Sequence, residues 1–174
     1  MAVVIVAAGS YTFLHHTSDY KEGDIVFQIS KSKQSSLIKK ATGSKWTHCG
    51  IIIEKGKEKY VLEASKTVRL TPLQQWIAQG DGGSIKSRRV IDRALKIKYK
   101  QYLGRPYDLA FSFDNDKWYC SELVYDIYKN QLGIELCQPR PVKDYNIKDK
   151  KIQAAMKNRN IKPDQKVVAP SDLL

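Results

Sequence analysis

From residue 23 onward, short apolar runs alternate with breaks rich in Gly, Pro and Lys. The pair Gly23-Asp24 turns into an apolar strand over residues 25–29. Leu37, Ile38 and Ala41 then recur at helical spacing within an otherwise basic stretch, which predicts a helix over 35–42. Residues 47–54, rich in Ile, and 60–65 read as strands joined by the polar loop Lys55-Gly56-Lys57-Glu58, a hairpin pattern. Residues 68–71 form another short strand. Pro72 suits the first turn of a helix through Trp76 and Ile77. Gly80, Gly82 and Gly83 mark a loop, and 85–90 return as a strand. A helix is expected over 93–103, stopped by Gly104 and Pro106. Another is expected after Asp114-Asn115-Asp116, whose side chains can cap free N–H groups, running to Leu132 and Gly133. A last helix covers 149–158. The pattern describes an α+β domain: a small antiparallel sheet or barrel with helices packed against it.

The chain has 174 residues, enough to bury a core without disulfide or metal staples, and 42% of them are hydrophobic. No apolar run reaches the ~18 residues of a membrane-spanning helix. Residues 1–22 stand apart. Met1 to Ala8 are small and apolar, followed by Gly9-Ser10 and a polar spacer. They resemble the apolar part and small-residue end of an export signal, although no Lys or Arg precedes them; a buried first strand is the alternative. The folded, catalytic domain is expected over 23–174, in an extracytoplasmic setting (periplasm or cell envelope).

A net charge of +12 favours anionic partners such as an acidic cell-wall polymer or lipid surface. No helix-turn-helix, zinc-finger or aromatic-basic motif accompanies the lysines, so no specific nucleic-acid partner is expected. A solvated lysine-rich surface would give the same composition. Cys49, Cys120 and Cys137 are too few for a disulfide framework. With His15 and His16 they offer no CxxC or HxxxH spacing, so neither metal nor organic cofactor is expected.

Cys120 carries the chemical signal. Leu123, Val124 and Ile127 follow it at three, four and seven places, so it lies on the core-facing stripe near the start of its helix. Free N–H groups and partial positive charge at a helix start favour a thiolate. A buried, inert cysteine is the plain alternative. His48 opens the strand whose residues 50–53 look buried, which supplies an imidazole near the core. Glu63 can order that ring: with an even-numbered hairpin loop it lies opposite Gly50, on the face of His48, and glycine there leaves room for a carboxylate. One residue of slip would put Glu63 on the other face. Glu122 follows Cys120 by two and points away from it.

Several segments carry a resemblance. Tyr102-Leu103-Gly104-Arg105-Pro106-Tyr107, then Tyr119-Cys120-Ser121-Glu122-Leu123, resemble the Gly-x-Pro-Tyr and Asp-Cys-Ser-Gly-Leu signature of NlpC-like cell-wall cysteine peptidases. Gly23-Asp24-Ile25-Val26-Phe27 and Thr47-His48-Cys49-Gly50-Ile51-Ile52 resemble their Gly-Asp-Leu-Val-Phe and His-Val-Gly-Ile strands. Here the His strand precedes the Cys helix, the order of the circularly permuted, YiiX-like branch. The resemblance implies a permuted papain-like fold with Cys120 as nucleophile, His48 as general base and Glu63 as orienting residue. It places Tyr107 near the site, where its hydroxyl could steady an oxyanion. Tyr119 and Glu122 replace the signature's Asp and Gly. The expected function is a thiol hydrolase that cleaves an amide, in a cell-wall peptide or a lipid, through an acyl-enzyme. A lipid acyltransferase or thioesterase, or a non-catalytic binding module for anionic polymer, are the alternatives.

Overall fold

The structure is a computed structural model and describes residues 19–113 and 115–174. The apolar segment, most of the spacer, His15, His16 and Asp114 lie outside the described residues. Among the described residues, no helix is long and apolar enough to cross a membrane. Five antiparallel strands, β1 (Ile25–Gln28), β2 (His48–Lys55), β3 (Glu58–Ala64), β4 (Val68–Pro72) and β5 (Ile85–Arg88), form a sheet in the order β4-β3-β2-β1-β5. A two-stranded sheet pairs β6 (Arg140–Pro141) with β7 (Lys166–Val167). The helices are α1 (Ser35–Thr42), α2 (Leu73–Gln79), α3 (Cys120–Asp126) and α4 (Lys150–Asn158).

Strand alternation divides the apolar side chains into two layers. Phe27, Cys49, Ile51, Ile53 and Leu62 face α3, joined by Leu123, Val124 and Ile127, so the expected stripe behind Cys120 is a core stripe. Val26, Ile52 and Val61 face the other way, onto Leu73, Trp76 and Ile77 of α2. The β2–β3 hairpin pairs Lys55 with Glu58 and Ile51 with Leu62. Its turn is therefore Gly56-Lys57, tighter than the expected loop but still even-numbered. Gly56 has φ 64°, the left-handed conformation such turns require.

Two expected helices differ. Residues 93–103 are irregular, with one 3-10 turn at Lys100–Tyr102. Their backbone is claimed by side chains elsewhere: the Ile97 N–H donates to Glu22 Oε1 at 2.7 Å and the Lys98 N–H to Gln131 Oε1 at 2.9 Å. Arg93, Lys96 and Lys100 add like charges at helical spacing, which weakens an isolated helix further. The second helix starts at Cys120, later than the acidic run implied. Trp118 is held extended by its N–H to the Pro106 carbonyl (3.0 Å) and its carbonyl to the Asp108 N–H (3.1 Å). Asn115 instead accepts the Lys117 N–H at 2.7 Å. Tyr119 is the N-cap residue, and Glu122 reaches back to accept its N–H at 3.3 Å. After α3 the helix widens into a π-turn over Ile127–Gln131 and ends at Gly133, φ 69°. The C-terminal segment closes the α3 side, where the Ser121 hydroxyl donates to the Val168 carbonyl at 2.6 Å.

Candidate active site

The delayed helix start puts Cys120 at the first helical position, where backbone N–H groups have no partner within the helix. α3 packs on β2, whose first residue is His48. There the Cys120 thiol is in hydrogen-bonding contact with the His48 ring. His48 Nε2 is 2.6 Å from Glu63 Oε2, which leaves Nδ1 to face the sulfur. Cys120, His48 and Glu63, separated by up to 72 positions, therefore form one connected set. Continuing the hairpin register puts Glu63 opposite Gly50, so the His48 contact is diagonal across the ladder.

Gly50 plays a different part from the one expected. A Cβ there would lie 2.4 Å from Val61 Cγ1 and 2.6 Å from the Leu62 carbonyl oxygen. The missing side chain admits the backbone and packing of β3, and the carboxylate reaches His48 beside that contact.

Glu63 is 2% exposed and fully engaged. Its Oε1 accepts from the Thr71 hydroxyl at 2.7 Å and from the Arg69 guanidinium at 3.0–3.1 Å. Its Oε2 accepts from Trp76 Nε1–H at 3.1 Å as well as facing His48. Burial alone would raise its pKa. The His48 bond and charge, the Thr71 hydroxyl and the Arg69 charge outweigh it and hold the carboxyl at about 2. Burial would likewise lower His48, but the bonds to Cys120 and Glu63 and their charges push it to about 10. The Cys120 thiol is drawn well below its ordinary value, first by a hydrogen bond from the Cys49 thiol. Burial opposes this, and the His48 bond and charge add to it. All three shifts run in the direction of a thiolate, an imidazolium and a carboxylate in a row.

Arg69, Thr71 and Trp76 were not singled out by sequence reasoning. Arg69 pairs directly with Glu63 in the β3–β4 ladder, and Thr71 follows two places on, on the same face. The alternation of β4 carried that signal. Trp76 comes from α2, with its ring 6.0 Å from that of His48; its segment predicts the helix but not this contact.

Tyr107 lies where two cavities meet. Cys120 borders an apolar one of about 130 Å³, walled by Leu37, Ile38, Ile152 and Met156. His48 and Glu63 border one of about 360 Å³ whose lining is half polar. Tyr107 and Gln34 line both. Arg159 donates to Gln34 Oε1 at 3.1 Å, and Gln34 Nε2 donates to the Tyr107 hydroxyl oxygen at 3.2 Å. The Tyr107 proton is thus left to donate elsewhere, and burial and the nearby Cys120 charge keep that phenol protonated. Gln34 and Arg159 also escaped sequence reasoning, since their link to Tyr107 is purely tertiary. The two departures from the signature have structural work: Glu122 holds the helix start, and Tyr119 accepts the Val168 N–H at 3.2 Å and packs edge-on against Phe111.

A thiol-headed helix against an antiparallel sheet, with the imidazole strand first in the chain, defines a papain-like fold in permuted order. The family described as permuted papain-like amidase enzymes, YaeF/YiiX, C92, matches residues 19–174, and the chain belongs to it. It is 40% identical to the uncharacterized protein YiiX of Escherichia coli K12, over 85% of this chain and 78% of that one. The crystal structure of YiiX from Escherichia coli O157:H7 superposes with a TM-score of 0.80 at 39% identity, covering 88% of this chain and 91% of that one. That YiiX is described as a metalloprotein. Here, among the described residues, no three His, Cys, Asp or Glu side chains converge as a ligand set. Among the described residues, His48 Nε2 and Glu63 Oε2 are bonded to each other and are not open as ligands.

Proposed function

We propose that the protein is a thiol hydrolase that cleaves an amide bond through an acyl-enzyme on Cys120. The thiolate attacks the carbonyl carbon, and the negative charge on oxygen is met by the Cys120 backbone N–H and the Tyr107 hydroxyl. The His48 imidazolium gives its Nδ1 proton to the leaving amine, then draws a proton from the water that releases the acid. Glu63 holds the ring throughout and stays ionised. The observation that carries this reading is the continuous Cys120–His48–Glu63 contact at the meeting of two cavities.

The same cavities favour an order of binding. An apolar acyl group suits the Leu37 and Met156 side, and a polar amine suits the side of His48. That supports a lipid amide over a cell-wall peptide, although both present the same bond to the thiolate. It equally suits a second reading, acyl transfer or thioester hydrolysis through the same acyl-enzyme. A net charge of +12 favours work at an anionic cell-wall or lipid surface, in an extracytoplasmic setting. A non-catalytic binding module accounts less well for so complete a set of polarised groups. The test is turnover of fatty-acyl and cell-wall-peptide amides by wild type, Cys120→Ala and His48→Ala. Loss in both variants with folding retained supports the reading, and full turnover in either overturns it.

A further inference from the structure

Hydrolysis leaves one buried nucleophile unused. Cys49 follows His48 in β2, so its side chain leaves the opposite face of the sheet, towards α3. It has no solvent exposure and shares an apolar cluster with Cys120. The α3–β2 packing sets it beside Cys120, and that proximity draws the Cys120 thiol down. The catalytic histidine and this second cysteine are therefore adjacent in one strand and touch the same atom from two sides. Cys120 borders a cavity and is open to a small reagent there, whereas Cys49 is not part of that lining and has no exposure. Side chains that meet from a strand and the helix packed on it are placed to form a disulfide with a small shift of either sulfur.

We propose that Cys49 is a resolving cysteine, which captures peroxide-oxidised Cys120 as a reversible Cys49–Cys120 disulfide and so protects the nucleophile while switching it off. The proposal rests on the thiolate character of Cys120 in the reading above. In the first step the thiolate attacks one oxygen of hydrogen peroxide and the O–O bond breaks. Cys120 becomes a sulfenic acid, and the departing hydroxide takes a proton from His48 to become water. In the second step the Cys49 sulfur attacks the sulfenic sulfur. The S–S bond forms, the S–O bond breaks, and the hydroxyl leaves as water with the Cys49 proton. The two thiols together lose two electrons, and the peroxide gains them. A dithiol reductant reverses the change.

The experiment uses Cys137→Ser protein, which keeps only the two thiols in question, treated with a several-fold molar excess of hydrogen peroxide and read by intact mass and peptide mapping. The expected result is loss of two hydrogens, loss of both titratable thiols, a linked pair of peptides, and full recovery with dithiothreitol. With Cys49→Ala added, Cys120 instead gains two or three oxygens and dithiothreitol restores nothing. Accumulation of such over-oxidised Cys120 while the Cys49 thiol stays free would overturn the proposal, as would no reaction at either sulfur. The readout needs no substrate. A disulfide without amide turnover therefore removes the hydrolase reading alone, and turnover without a disulfide removes this one alone.

Discussion

Glu63 reaches diagonally across the hairpin to His48, Oε2 to Nε2 at 2.6 Å, and presents the other ring nitrogen to Cys120. Its remaining acceptor positions are filled by Thr71, Arg69 and Trp76, so the carboxylate cannot swing to serve another partner. Position and charge of the imidazole both follow from this one side chain.

Glu63→Gln keeps the shape and removes the charge. Imidazolium is then favoured less, and kcat/KM for amide cleavage should fall by ~10²-fold or more, toward the ~10⁴-fold seen when a triad carboxylate is neutralised. Steady-state kinetics with an active amide substrate check it. The upper pH limit of activity in this variant should move downward from that of wild type.

The pair also makes stability depend on pH, with a fixed sign. Glu63 is held at about 2 against an ordinary 4.5, so its contribution is complete above pH 4.5 and is lost as pH falls through 2. His48 is raised to about 10 from 6.5, so its contribution is complete below pH 6.5 and is lost as pH rises through 10. The difference in Tm between wild type and Glu63→Gln should therefore be largest between pH 4.5 and 6.5 and shrink in both directions. Thermal melts across this range measure it.

Gly50→Ala drives a methyl group into Val61 and the Leu62 carbonyl, at 2.4 and 2.6 Å. Backbone on one side leaves little room for relief, so a loss of about 1–3 kcal/mol is expected from denaturant melts. Because the strain falls between His48 and Glu63, activity should fall more than stability alone explains.

Tyr107→Phe removes a proton that Gln34 leaves free to meet an oxyanion. A fall of ~10²-fold in kcat is expected, with Cys120 alkylation little changed, because the hydroxyl acts on the developing charge and not on the thiolate. Equal losses in both assays would assign Tyr107 to packing.

The site was legible in sequence wherever its geometry is set by a local period. The spacing behind Cys120 marked the core stripe, and an even hairpin put Glu63 on the face of His48. The permuted order of the motifs identified the fold. Contacts made by chain segments far apart were not legible. Trp76 meets Glu63 only because α2 folds over that face of the sheet, and Gln34 meets Tyr107 across 73 positions. Residues 93–103 have the composition of a helix, yet Glu22 and Gln131 capture their backbone. Tertiary hydrogen bonds overrode propensity there.

The most direct test of the account is alkylation of the three cysteines by iodoacetamide at pH 5, followed by mass spectrometry in wild type and His48→Ala. Cys120 should react well ahead of Cys137, whose thiol burial and nearby acidic groups push up to about 11, and ahead of the enclosed Cys49. That lead should largely disappear in His48→Ala. Labelling of Cys120 no faster than Cys137, or unchanged without His48, would contradict an imidazolium-paired thiolate.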